Sequence, residues 1–245
     1  MKILLALFLL FNTVILQAND DLSFEDEFND EEEPASWMIV DPLSSYNKFM
    51  TNVNDFFYTE ALEPASEVYS SVLSHEVRSG VNNFFNNLYS PISIVNNILQ
   101  FEFKDAGEEL ARFVVNSTVG IGGIFDPARS QFDLEPHTED FGQTLGAWGV
   151  GSGFHIVLPF LGPSNLRDSI GLFGDYYINP LNRIEARGHN MIAHEWQSYG
   201  INGLRKLNTG SLHRGEYKAL KKDALDLYPF LRDVYEQHRK KVIGE

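Results

Sequence analysis

The chain has 245 residues, 34 acidic and 19 basic side chains, a net charge of −15 and no cysteine. That length suits one large domain or two small ones. The acidity argues against gripping a nucleic-acid backbone. The missing cysteine excludes disulfides, thiolate metal sites, a cysteine nucleophile and a thioether-linked lipid.

Met1 and Lys2 make a short basic start, residues 3–16 are apolar except for Asn12 and Thr13, and Ala18 is small. This is the pattern of a secretory signal peptide over residues 1–18, too short to span a bilayer. No later run approaches eighteen apolar residues, so no membrane-spanning helix is expected beyond it. Residues 19–33, "NDDLSFEDEFNDEEE", hold only Leu22, Phe24 and Phe28 as apolar residues. Like charges at that density cannot offset chain entropy, which predicts an acidic, disordered tether over residues 19–36. Nine of the 34 acids lie in this stretch and one of the 19 bases is Lys2, so the rest of the chain stays acidic, at −7.

A single helical domain is expected over residues 37–245. Asp41-Pro42 opens it, with a capping residue followed by a proline suited to a first helical turn. Leu43, Tyr46, Phe49, Met50, Val53 and Phe57 then recur at the three-and-four spacing of an amphipathic helix. Pro64 starts a second helix. A third covers residues 75–88, Pro91 begins a short fourth ending near Leu99, and a fifth covers residues 103–115. Ser164 is placed to cap a helix reaching about Phe173, and Asn179-Pro180 breaks the chain. A longer helical region covers residues 183–207, weakened by Gly188, Gly200 and Gly203, and a last helix covers residues 217–242. No alternating run is long enough for a sheet, so the fold class is all-α.

Patterns that carry catalysis come close and fail. Gly151-Ser152-Gly153 follows Val150 where a nucleophile elbow needs glycine. Ser152, His155 and Asp168 therefore support an esterase only weakly. His194-Glu195 begins a zinc-protease pattern, but Ser198 stands at the second histidine, and His189 and His194 are five apart, off one helical face. There is no phosphate-binding P-loop. The expectation is no enzyme, no metal and no cofactor.

Two stretches are apolar yet broken by glycine: residues 119–128, "VGIGGIFDPA", and residues 141–168, "FGQTLGAWGVGSGFHIVLPFLGPSNLRD". Each glycine inside an element costs about 0.5–1 kcal/mol relative to alanine. Small residues let helices approach closely where lipid surrounds them, and irregular backbone at membrane depth is tolerated where protein buries it or a cavity adjoins it. Trp148, Tyr176, Tyr177 and Trp196 suit the interfacial level of such a body.

Four blocks carry a resemblance: "DPLSSYNKFMTNVNDFFYTEALEPASEVYSSVLSHEVRSGVNNFFNNLYSPISIVNNILQ", "ARFVVNSTVGIGGIFDPA", "EDFGQTLGAWGVGSGFHIVLPFLGPSNLRDSIG" and "LYPFLRDVYEQHR". In this order they resemble the MlaA (VacJ) family of outer-membrane phospholipid-transport proteins, from Asp41 to about Arg239. Residues 184–222 match least, apart from "GLRKL". The resemblance implies a ring of helices, like a doughnut, in the inner leaflet of the outer membrane, with a central amphipathic channel. Through it, phospholipid misplaced in the outer leaflet passes to a soluble periplasmic carrier (MlaC-like), beside a trimeric porin. A porin-bound structural adaptor that moves no lipid is the alternative.

By the same resemblance, Asn116, Gly120, Gly122, Gly123, Phe125 and Asp126 help form the ring and passage. So do Phe141, Gly142, Leu145, Gly146, Trp148, Gly149, Gly151, Pro159 and Gly162. Gly146 and Gly149, three apart, are expected to share a face. Arg167 and Asp168 are placed at the channel, where a guanidinium suits phosphate oxygens; a surface ion pair is the other reading. Asn47, Phe49, Met50, Asn52 and Asn54 lie on a first helix near the membrane face, or simply pack there. Family members commonly carry an acylated cysteine. Here "LQAN" over residues 16–19 puts Asn19 at that position, so anchoring is expected to rest on the embedded ring, at the periplasmic face of the outer membrane.

Overall fold

The structure, a computed structural model, describes residues 41–182, 185–186, 189–190 and 195–244. The expected signal peptide, tether and "LQAN" box lie outside the described residues, as do the side chains of His189, His194, Trp196 and Ser198.

Helix α1 (Ser44–Phe57) does not stop before Pro64. A π turn over Tyr58–Leu62 carries the chain directly into α2 (Glu63–Val72). The wider turn relieves the clash that a proline ring makes with the carbonyl four residues back. Helix α3 (His75–Leu99) is one 25-residue element that runs through Pro91, where the sequence pattern predicts two helices. Its apolar stripe continues past the proline and packs along α4 (Phe103–Thr118), which offsets the lost backbone bond.

Two short helices follow, α5 (Pro127–Phe132) and α6 (Phe141–Ala147). Strands β1 (His155–Leu158) and β2 (Gly162–Asn165) then pair antiparallel, with His155 opposite Asn165 and Leu158 opposite Gly162. This hairpin is absent from the sequence reading, because four-residue strands, one of them Gly-Pro-Ser-Asn, show no alternation. Asn165, one residue later than expected, caps α7 (Leu166–Ile178) by accepting the Asp168 N–H at 2.8 Å. The two-residue strands β3 (Glu185–Ala186) and β4 (His189–Asn190) precede α8 (Glu195–Leu212). The expected last helix is two, α9 (Glu216–Asp223) and α10 (Leu227–Ile243), the second capped by Asp226. The molecule is predominantly helical, as expected, with helix α10 packed on α6, β2 and α1.

The distribution of polarity is inverted. Among the described residues the buried apolar side chains are Phe85, Ala106, Ala128, Val157, Leu181 and Tyr228, while many amides, hydroxyls and charged groups are buried. Asn96 shows how these hold helices together: it donates to the Ile92 carbonyl and to Asp175 of α7, and accepts from Thr144 of α6 at 2.8 Å. Asn208 of α8 donates to the Arg78 carbonyl and accepts from Tyr69. Meanwhile Phe56, Val72, Phe101 and Phe173 stand 61–77% exposed. No helix among the described residues is long and apolar enough to cross a membrane.

Candidate functional site

The first glycine stretch folds back onto α3 and α4. The Gly123 N–H donates to the Asn116 carbonyl at 2.8 Å, and a Cβ on Gly123 would lie 2.4 Å from the Asn87 Cβ. Gly123 also has φ +90°, so glycine is required twice over. Asn116 spans the turn, donating to Asp126 and accepting from the Ala128 N–H. Asp126 in turn caps α5 and pairs with Arg112 at 3.1 Å. Asn116, Gly120 and Gly123 are therefore buried joints, whereas Gly122 and Phe125 face outward.

In the second stretch the glycines serve a helix crossing. A Cβ on Gly171 would lie 2.5 Å from the backbone nitrogen of Gly142, so α6 and α7 touch backbone to backbone. Gly146 and Gly149 do not share a face. Gly146 is buried against Ile243 and Arg167, each closer to its would-be Cβ than about 3.2 Å. Gly149 lies past the helix end at φ +83°, with open space around it. Its N–H donates to the Gly146 carbonyl and the Val150 N–H to that of Leu145, a left-handed helix stop. Trp148 is half exposed and donates its indole N–H to the Leu99 carbonyl, and Gly151 is exposed, while Phe141, Leu145, Pro159 and Gly162 are half-buried.

Arg167 and Asp168 are buried rather than a surface pair. Arg167 Nε donates to Asp168 Oδ1 at 3.1 Å, and one terminal nitrogen donates to the Val150 carbonyl. Asp168 also accepts from Tyr235 at 2.7 Å and from Arg239 at 3.0 Å. Burial pushes the Asp168 carboxyl up, but these donors and the Arg239 charge outweigh it and hold it below the usual carboxylate range. Arg239 completes the cluster by a two-point grip on Asp140, the residue that caps α6.

Nearby, Asp175 accepts from the Phe141 N–H and from Asn96, yet burial and the Asp140 charge raise its pKa to about 6. A carboxyl raised in the folded state holds its proton where the unfolded chain has lost it. Its contribution therefore weakens stability as pH rises from about 4 through about 6. Asp175→Asn keeps both hydrogen-bond partners without the charge. We expect it to melt higher than wild type at pH 7.5, with the gap closing as pH falls from about 6 to about 4, measured by circular dichroism in detergent. A pH-independent difference would show that Asp175 is not the titrating group.

His155 does not form a catalytic set with Ser152. Its ring is fully buried between Tyr228 and Tyr235, Nδ1 pairs with Glu236 at 2.9 Å, and no hydrogen bond joins it to Ser152. Asp105, Glu108 and His137 bring possible metal-ligand atoms within 4.8 Å of one another, but carboxylates already face both ring nitrogens.

The first helix supplies two clamps on the hairpin. Asn47, fully buried, donates to the His155 carbonyl and accepts from the Val157 N–H. Two turns on, Asn54 donates to the Leu158 carbonyl at 2.9 Å and accepts from the Phe160 N–H at 2.7 Å. Phe49 and Asn52 point outward, and Met50 is half-buried. The tip of the hairpin is thereby held over a cavity of about 210 Å³. Thr51, Asn54, Phe57, Tyr58, Leu62, Val157, Phe160, Leu161, Gly162, Pro163, Lys206, Tyr217 and Leu231 line it. Of the sequence candidates, Asn54 and Gly162 reach this cavity. Lys206 and Tyr217 were missed, although Lys206 belongs to the "GLRKL" patch.

A family model described as MlaA lipoprotein matches residues 39–242. Over 210 residues the chain is 30% identical to the intermembrane phospholipid transport system lipoprotein MlaA of Haemophilus influenzae, a match covering 81% of this chain and 77% of that one. It is 33% identical over 144 residues to an uncharacterized protein of Rickettsia prowazekii, covering 58% of this chain and just over half, 57%, of that relative. A structure solved in work on the structural basis for maintenance of bacterial outer membrane lipid asymmetry superposes with a TM-score of 0.69 at 27% identity, covering 83% of this chain and 99% of that one.

Proposed function

Because this chain belongs to the MlaA family, we propose that it moves phospholipid between membranes and so helps to keep the two leaflets of the outer membrane different. The observation that carries this reading is the inverted polarity. A protein that leaves Phe56, Val72, Phe101 and Phe173 outside while burying asparagines needs an apolar medium around it. Described helices too short or too polar to span suit a body seated in one leaflet, the inner leaflet of the outer membrane. The outward-facing Phe125, Trp148, Gly149 and Gly151 then lie toward lipid or the passage, and the buried Asn116, Gly142, Arg167 and Asp168 hold the wall that carries them. A trimeric porin beside the body and a soluble periplasmic carrier complete the route. This reading assigns no catalytic step.

The full chain is expected to stay with the membrane fraction after high-salt and carbonate washing, and to carry phospholipid, detected by mass spectrometry of solvent extracts. Deleting the protein should raise outer-leaflet phospholipid. Recovery in the soluble fraction, lipid-free, would overturn the reading. Unchanged outer-leaflet lipid with altered porin organisation would replace it by the adaptor.

A further inference from the structure

We propose that the cavity under the hairpin tip holds one acyl chain of a glycerophospholipid, with Lys206 at its rim gripping the lipid phosphate. This rests on the phospholipid reading above and gives it a binding site.

Size sets the occupant first. A cavity of about 210 Å³ exceeds the roughly 150 Å³ that suffices for benzene in an engineered apolar void. It falls short of the roughly 300–1,000 Å³ that encloses a drug-sized ligand. It therefore takes a stretch of one chain and leaves the polar end of the molecule outside. Phe57, Leu62, Val157, Leu161 and Leu231 give the wall an apolar character matched to an acyl chain.

Charge sets the headgroup contact. Lys206 is the only cation among the described residues that line it. Its neighbours are already engaged: Lys221 sits 2.7 Å from Asp55, Lys218 2.6 Å from Glu63, and Arg205 lies over the Tyr89 ring. The Lys206 ammonium instead donates to a neutral acceptor, the carbonyl of Phe160. Much of the side chain is exposed, yet enough protein surrounds the ammonium for desolvation to lower its pKa. An arriving phosphate offers a charge-assisted bond about twice as strong as a neutral one. Lys206 therefore exchanges the carbonyl for the phosphate.

The exchange also releases the tip. Phe160 is held at φ +60°, a left-handed conformation unfavourable for a bulky L-residue, with its ring edge-on to Phe57 at 5.0 Å. Lys206 and Asn54 together hold that turn closed over the cavity. Transferring Lys206 to the lipid removes one of the two holds.

The test uses the purified full chain in detergent, with dioleoylphosphatidylglycerol, dioleoylglycerol and inorganic phosphate as probes. Binding is read by native mass spectrometry and by competition. Wild type should bind the phospholipid at least about tenfold more tightly than the diacylglycerol, as one charge-assisted contact provides. Lys206→Met should bring the two lipids within about twofold of each other without weakening the diacylglycerol. Lys206→Arg should keep the preference, and Leu231→Trp, which fills the cavity, should abolish binding of both. A preference that survives Lys206→Met overturns the Lys206 assignment alone. Inorganic phosphate competing at equal concentration overturns the lipid occupant in favour of a free-phosphate site. If wild type binds neither lipid, the phospholipid reading of the cavity falls as well.

Discussion

Asn47→Leu is expected to lower the stability of the protein by about 2–6 kcal/mol. The amide donates to Asp41 Oδ1, the His155 carbonyl and the Tyr228 hydroxyl, and accepts from the Val157 N–H at 2.8 Å. Leucine fills nearly the same volume, so the packing loss is small. It leaves a buried carbonyl and a buried N–H without partners, each costing about 1–3 kcal/mol. His155 is fully buried and Val157 is 1% exposed, so water cannot replace the lost bonds. For a domain of this size about 1 kcal/mol moves the melting temperature by roughly 2–4 °C, so a fall of about 10 °C is expected in detergent. The hairpin should loosen first, seen as faster amide exchange at Val157 than in α3. A shift under about 3 °C would show that the hairpin does not depend on this amide.

Arg239→Met should be comparably damaging, by about 3–5 kcal/mol, because removing one member of a buried ionic cluster strands the others. Arg239 holds Asp140 at 2.7 Å and Asp168 at 2.9 Å, tying α10 to the start of α6 and to α7. Met keeps the aliphatic length and loses the charge. Asp168 is left with Tyr235 and Arg167, and the Asp140 cap of α6 loses its counter-ion. Since the Asp168 carboxyl is held below its ordinary range, the benefit is present above the unfolded pKa and lost as pH falls through the folded one. The gap between variant and wild type should thus narrow in strong acid. Adding Asp168→Asn to Arg239→Met should recover part of the loss. A double variant no better than the single one would mean that Asp168 is not the stranded charge.

The sequence showed the helices well and their joints badly. The three-and-four spacing of Leu43, Tyr46, Phe49, Met50, Val53 and Phe57 locates α1 because burial of one face leaves that mark. Pro64 and Pro91 misled, since a proline breaks a helix only when nothing else holds it, and here a π turn and the α4 contact do. The resemblance assigned Gly142 and Gly146 to the ring and passage; the contacts that require glycine there, with Gly171 and Ile243, lie 29 and 97 residues away along the chain and leave no local pattern. Arg167 and Asp168 were singled out together, but Arg239, which joins them in a buried cluster, is recognisable only once α10 is packed on α6. Lys206 escaped notice because a lone lysine in a helical stretch looks like any solvated base.

The buried amides have a thermal consequence. In an ordinary domain, unfolding wets apolar surface and raises the heat capacity by roughly 12–15 cal/mol/K per residue, which bends the stability curve into a dome. Here the native state already leaves many phenylalanines and valines outside, and among the described residues the fully buried side chains are mostly asparagine, threonine and serine. Polar surface lowers the heat capacity when it is wetted. The increment per residue is therefore expected to be smaller than usual, and the curve shallower. Cooling weakens an ordinary core because apolar burial loses its driving force at low temperature. A fold stitched by amide bonds between helices has little of that force to lose, so it keeps nearly the same margin over the whole range in which its surroundings stay fluid.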